Sequence, residues 1–163
     1  MKNRRDRMMH ETLRQIPYGL YVVGFRGNGD GQMNAMAASW VTQCSFDPPL
    51  VMVAVRKPSR SYDLAKAGKV FSLNLLDKSE RRIIRTLEKP SHAAGDKLGK
   101  VGHVEEDTGA PILRHAFAYV ECKVRKIYEP GDHALIVGEV VHAGVRGKGQ
   151  PVMCSDLKWH YGG

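Results

Sequence analysis

Three short stretches of the chain carry side chains whose types and spacing could do chemistry. The first is Asn34 to Leu50, N-A-M-A-A-S-W-V-T-Q-C-S-F-D-P-P-L, which starts after a glycine turn and ends in a double proline. Its small residues leave room at the backbone, Ser39 and Thr42 offer hydroxyls, and Trp40 offers a flat ring. Such a set suits a backbone lying against a flat polar ligand. It equally suits a strand packed tightly against a neighbour. The second is Arg56-Lys57-Pro58-Ser59-Arg60-Ser61, cations and hydroxyls leading into an apolar helical pattern. Helix N-termini attract anions through free amides and the dipole, so this stretch is either a phosphate site or a capped helix with a solvated basic start. The third is Gly131-Asp132-His133, where a histidine heads a strand with a carboxylate beside it.

Other chemistries find no support. The sequence has no G-x-S-x-G elbow, no H-E-x-x-H and no phosphate loop of the Walker type. Cys44, Cys122 and Cys154 are scattered without a C-x-x-C, which argues against a disulfide framework and a thiolate metal site. His92 and His103 have no ligand partner at metal-binding spacing, so no metal is expected. Glu121 and Glu139 sit in strand patterns without an evident carboxylate partner. Nothing supplies a nucleophile together with its base; an enzymatic reading therefore needs a cofactor to carry the reaction. The net charge of +8 is partly gathered in Lys2, Arg4, Arg5 and Arg7 and otherwise dispersed, with no basic helix face interleaved with aromatics. That favours a small anionic ligand over nucleic acid.

The elements that must position these groups follow from the patterns. A length of 163 residues predicts one domain, 1–163, with a polar N-terminal arm over 1–15. The apolar share of 42% and charged share of 26% are those of a globular protein, and no apolar run approaches the roughly 20 residues of a membrane span. With no secretory leader, a cytoplasmic location is expected. A short helix is predicted over 7–16, a strand over 18–25, a hairpin turn at Arg26–Gly31, and one return strand over 32–44. A strand over 50–55 follows, then a helix with Ser59 or Ser61 as cap and Gly68 just past its end. A strand over 69–76, a helix over 80–87 capped by Ser79, strands over 116–128 and 133–141 and a short one at 151–153 complete the pattern. Residues 88–107 read as an excursion with one short helix or none. Strands joined mostly by turns predict a mainly β fold, an antiparallel barrel with two or three short helices.

Taken in order, I-P-Y-G-L-Y-V-V, N-A-M-A-A-S-W-V-T-Q-C-S-F-D-P-P-L-V-M-V-A-V, S-Y-D-L-A-K-A-G-K-V-F-S-L-N-L-L, A-Y-V-E-C-K-V and G-D-H-A-L-I-V-G-E-V resemble the flavin reductase-like, FMN-binding family of split barrels, over about Ile16 to Val141. The resemblance implies a homodimer with FMN at the subunit interface, FAD or riboflavin being alternatives, and NAD(P)H as electron donor. It implies that Met36, Ala37, Ala38, Ser39 and Trp40 line the isoalloxazine and that Thr42 reaches the ribityl or phosphate part. Arg56, Ser59, Arg60 and Ser61 match the phosphate position, and His133 the catalytic histidine beside flavin and nicotinamide. Many members carry threonine where this chain has Ala37. Two functions follow as expectations: an NAD(P)H-dependent flavin reductase serving free flavin, a ferric complex or a redox partner protein, or an FMN-binding electron carrier of the flavoredoxin kind. A basic nucleic-acid-binding barrel is the reading outside redox chemistry.

Overall fold

The structure, a computed structural model, describes residues 4–89, 96–159 and 161. Helix α1 (Arg4–Leu13) is followed by strands β1 (Tyr21–Arg26), β2 (Met33–Ala38), β3 (Val41–Ser45) and β4 (Leu50–Arg56), then α2 (Arg60–Gly68) and β5 (Val70–Leu75). A 3₁₀ turn at Lys78–Glu80 leads into α3 (Arg81–Leu87). Beyond it come α4 (Lys97–Val101), β6 (His103–Val104), β7 (Ile112–Leu113), and the long hairpin of β8 (Ala118–Tyr128) and β9 (His133–Val145). A second 3₁₀ turn spans Cys154–Leu157.

Seven strands form one antiparallel sheet in the order β2-β1-β5-β8-β9-β4-β3. The return strand predicted over 32–44 is therefore two strands, β2 and β3, and they lie at opposite edges. Only Ser39 and Trp40 join them. Six spacings of about 4.8 Å would hold the edges of a flat sheet about 29 Å apart, while that link spans at most about 11 Å. The sheet must curl until its edges meet. Val41 N–H donates to the Ser39 carbonyl (3.1 Å) in the tight corner, and Ala54 N–H to the Trp40 carbonyl (2.9 Å). The fold is thus a curled antiparallel sheet with few helices, as the strand count predicts.

Two cores flank the curl. Val23, Phe25, Val53, Val55, Phe71 and Ile136 fill one, capped by Tyr62, Leu64 and Ala65 of α2. Leu20, Val22, Ala35 and Ala37 meet Ile83, Ile84 and Leu87 of α3 and Leu98 of α4 in the other. Strand β1 is buried on both faces, which is why its Y-V-V-G-F run is continuously apolar rather than alternating. Each fully buried aliphatic side chain contributes up to about 1.5–3 kcal/mol.

Local signals differ from the sequence expectation in two caps. Asp77, not Ser79, starts the turn before α3: its carboxylate accepts from the Ser79 amide at 2.9 Å and the Ser79 hydroxyl at 2.8 Å. Gly68 is the last residue of α2, and Lys69 takes the left-handed cap (φ 55°). Gly68 is there for space, since a Cβ on it would lie 1.8 Å from the Arg26 carbonyl oxygen. The predicted strand at 151–153 is reduced to single bridges from Met153 to Gly19 and from Pro151 to Asp77. His92 lies outside the described residues, and His103 stands in β6, a short strand within the stretch read as an excursion.

The segment 105–116 is held by buried polar groups. Glu121, fully buried, accepts from the amides of Asp107 (3.1 Å) and Thr108 (2.9 Å) and from the Thr108 hydroxyl. Asn74 accepts from Leu113 N–H at 2.8 Å. Glu106, Glu121 and His142 approach within 4.8 Å of one another. Tyr119 and Arg146 already donate to Glu106. The partner that Glu121 lacks in the sequence pattern is this loop, and its carboxylate serves as an anchor.

Candidate functional site

The corner between β2 and β3 opens a cleft of about 720 Å³. Asn34, Met36, Ala37 and Ala38 of β2 and the Ser39–Trp40 corner form one side, with Ala54 and Arg56 of β4 alongside. Lys57, Pro58, Ser59, Arg60 and Ser61 close the end at the start of α2. Leu87, Glu88, Lys89 and Lys97 stand on the α3–α4 side, and Trp159 and Tyr161 come from the C-terminal segment. Nine of the expected residues, Met36 to Trp40, Arg56, and Ser59 to Ser61, are therefore brought to one cavity from two separate stretches.

The end at α2 is built for an anion. Ser59 takes extended backbone (φ −157°, ψ 155°), and its hydroxyl accepts from Tyr62 N–H at 3.2 Å. The first helical bond runs from Asp63 N–H to the Ser59 carbonyl, so the amides of Arg60 and Ser61 have no partner within the helix. Ser61 is buried and its hydroxyl accepts from Asn34 Nδ2 at 2.9 Å. Lys57 is committed to Glu129 at 3.6 Å. Glu129 also accepts the Tyr62 hydroxyl, and this bond holds its carboxyl below the usual range while raising the tyrosine. Among the described residues neither Arg56 nor Arg60 makes a direct ion pair, although Arg56 lies near enough to Asp132 to help lower its carboxyl.

The corner carries two buried donors without a hydrogen-bond partner among the described residues, Ser39 Oγ and Trp40 Nε1. Burial pushes the Cys154 thiol up, and the nearby Ser39 hydroxyl acts against that shift without meeting the geometry of a hydrogen bond. Buried polar groups are ordinarily paired. A flat ligand with carbonyls and ring nitrogens along its rim would supply the acceptors, and the alanines beside them leave room for its plane.

An aromatic wall completes the cleft. Trp40 and Tyr161 meet edge-on, with ring centroids 5.2 Å apart, and Trp159 stacks on Tyr161 at 5.6 Å. His133 lies behind this wall, its ring 4.8 Å from Trp40. Its Nδ1 meets Asp132 Oδ1 at 2.7 Å and its Nε2 meets the Tyr161 hydroxyl at 2.6 Å. The Asp132 carboxyl is held below its ordinary value by His133, and burial pushes Tyr161 up. His133 thus reaches the cleft through Tyr161 and Trp40 rather than lining it.

Thr42 is the expected site residue that the fold sends elsewhere. It is exposed on edge strand β3, with its hydroxyl on the Gln43 carbonyl at 3.0 Å. The Ser39–Trp40 corner turns β3 away from the cleft, so the continuous strand that would have carried Thr42 toward a ligand does not exist. Lys97, Asn34, Trp159 and Tyr161 line the cleft without having been singled out. The two aromatics closing an otherwise polar tail were the available signal; nothing local marks Lys97. Cys122, pushed up to about 12 by burial, offers no thiolate.

Comparison with known proteins bears on the family and the fold. The profile of the family described as flavin reductase like domain matches residues 13–161. The chain is 30% identical over 142 residues to an NADH-dependent FAD reductase of Streptomyces globisporus, an overlap of 85% of this chain and 76% of that one. It is 33% identical over 142 residues to a diflavin flavoprotein of Synechocystis, covering 86% of this chain and 24% of the relative. Diflavin flavoproteins are much longer, and the chain spans 17% to 24% of those it matches. Among solved structures, an NADH:FAD oxidoreductase of Streptomyces globisporus superposes with a TM-score of 0.76 at 29% identity, covering 87% of this chain and 83% of that one.

Proposed function

The chain belongs to the flavin reductase-like domain family, and from that premise we propose that it is an FMN-dependent oxidoreductase that takes electrons from NAD(P)H and passes them to free flavin, a ferric complex or a partner protein. Bound flavin supplies the two-electron chemistry itself. The protein's task is to hold the ring, fix the phosphate and shield one side from water. Arg56, Arg60, the Ser59 cap and the first amides of α2 hold the phosphate. Ser39 and Trp40 donate to the polar rim of the ring, and Met36, Ala37 and Ala38 carry its plane. Ala37 gives no hydroxyl, so the Ser39 and Trp40 donors bear more of the orientation. Tyr161, held by His133 and Asp132, faces the side where a nicotinamide would enter. The protein acts as a homodimer; exposed Met8, Met9, Leu13, Phe46 and Val145 are the apolar surface available to a second copy.

The observation that carries this reading is the meeting of Arg56 and Arg60 at a capped helix start with two buried donors, Ser39 Oγ and Trp40 Nε1, that lack a hydrogen-bond partner among the described residues. The test is the visible spectrum of the purified protein, before and after anaerobic NADH or NADPH. A bound flavin band that bleaches on addition supports it. No flavin band, even after FMN or FAD is supplied, rejects it. A second reading is favoured by the match to one part of longer diflavin flavoproteins: an FMN-binding electron carrier. Bound flavin that neither nicotinamide reduces, but that exchanges electrons rapidly with a reduced partner, selects this reading over the first.

A further inference from the structure

The turn between β8 and β9 reaches across to the anion end of the cleft and takes hold of one of its cations. We propose that Glu129 in this turn sets how tightly the site grips a flavin phosphate, by withholding Lys57 from it. The inference rests on the cleft being the flavin site, with the phosphate at the head of α2.

Three cations, Arg56, Lys57 and Arg60, line that end of the cleft. A phosphomonoester carries about −1.5 to −2 charges at neutral pH, which Arg56 and Arg60 together match. Neither arginine makes a direct ion pair among the described residues, whereas Lys57 Nζ lies 3.6 Å from Glu129 Oε1. A pair this exposed, with 25% of one side chain and 48% of the other open to solvent, is ordinarily weak and would yield to a phosphate. This one is braced at both ends. The Tyr62 hydroxyl, on a side chain packed into the core, donates to the same Glu129 oxygen. The backbone N–H of Lys57 donates to the Asp132 carbonyl of the same turn at 2.8 Å. Both partners are therefore fixed before they meet, and pairing costs little further side-chain freedom. The Tyr62 bond, and the Lys57 charge after it, hold the Glu129 carboxyl below its ordinary value, so it is ionised at neutral pH. Lys66, the neighbouring cation on α2, stands 4.1 Å over the Tyr62 ring and pairs with Asp63 at 3.6 Å, so it does not replace Lys57 at Glu129. Glu129 itself does not line the cleft. It acts on the phosphate only through Lys57, which makes it a positioning residue.

The experiment is equilibrium titration of flavin-free protein with FMN and with riboflavin, which has the same ring and no phosphate. Glu129→Gln keeps an acceptor for Tyr62 and removes the charge that holds Lys57. It should bind FMN about threefold to tenfold more tightly than the unaltered protein, while riboflavin binds the two alike. Release of FMN on dilution, followed by flavin fluorescence, should slow by a similar factor. Glu129→Gln should bring no gain in a chain that already carries Lys57→Met. Glu129→Ala frees Lys57 as well, and should give the same gain at a lower melting temperature because Tyr62 loses its acceptor. It serves as the second test should Glu129→Gln not fold. Equal FMN affinity with and without the Glu129 charge overturns the inference while the cleft reading stands. A gain shared by riboflavin, or one that survives Lys57→Met, overturns it too. Failure of both flavins to bind rejects the cleft reading itself.

Discussion

At the residue scale the site depends on charges and donors gathered around one cleft, several of them without an ion-pair or hydrogen-bond partner among the described residues. Arg60 stands at the first position of α2, exposed and without a described ion pair, so its removal costs the fold little. Arg60→Ala is expected to weaken flavin binding about tenfold to a hundredfold with an unchanged melting temperature, measured by titration and thermal unfolding. His133 presents the opposite case. It touches Trp40, Asp132 and Tyr161 but is not among the residues lining the cleft. His133→Ala should therefore slow reduction by NAD(P)H about tenfold or more while flavin affinity stays within about threefold. Stopped-flow reduction set against equilibrium titration separates the two effects. Types and order were legible here: Ser39, Trp40, Arg56 and Arg60 are visible in the chain because small residues, a flat ring and paired cations are unusual together. Lys97 was not. Its isolation from carboxylates exists only once α3 and α4 pack, and a lysine in a polar stretch reads as solvated.

At the element scale, α2 must sit close to β1 to present its N-terminus to the cleft. Gly68 permits that approach, and a methyl group there would collide with the Arg26 carbonyl, which is backbone and cannot swing aside. Gly68→Ala is expected to cost about 2–3 kcal/mol, read as a drop of roughly 5–10 °C in melting temperature. Flavin affinity should fall with it, because the helix start moves. The sequence pattern places this helix and its Ser59 cap well, since capping is a local event between a hydroxyl and an amide three residues on. It misassigns the reason for Gly68. A glycine at a helix end ordinarily signals left-handed backbone, whereas here the left-handed residue is Lys69 and the glycine answers to a neighbour far away in sequence.

At the scale of the whole molecule, the C-terminal segment must lie across the sheet for Trp159 and Tyr161 to reach the cleft. Asp77 helps pin it, accepting from Gln150 N–H at 2.7 Å as well as from Ser79. Those bonds lower its carboxyl from 3.8 to about 2. A carboxyl depressed by folding contributes stability that is present above its unfolded value and lost as the pH falls through the folded one. Asp77→Ala should thus lower the melting temperature by about 3 °C at pH 7. The gap to the unaltered protein should narrow as the pH falls from about 4 through about 2, as the wild-type carboxyl takes up its own proton. Sedimentation is expected to give about twice the chain mass of 18.1 kDa; a monomer at all concentrations would remove the homodimer. By itself the sequence determined most of the strands and turns, the Ser59 cap of α2, and that small residues, a tryptophan and two arginines stand in a telling order. These are short-range properties of propensity, periodicity and hydrogen-bonding reach. Only the tertiary structure decided that the chain breaks at Ser39–Trp40. That break follows from partners distant in sequence, β2 pairing with β1 and β3 with β4. Two strands bound to opposite edges of a seven-stranded sheet, yet linked by two residues, force the sheet to curl, and that curl brings the corner, the head of α2 and the C-terminal aromatics around one cleft.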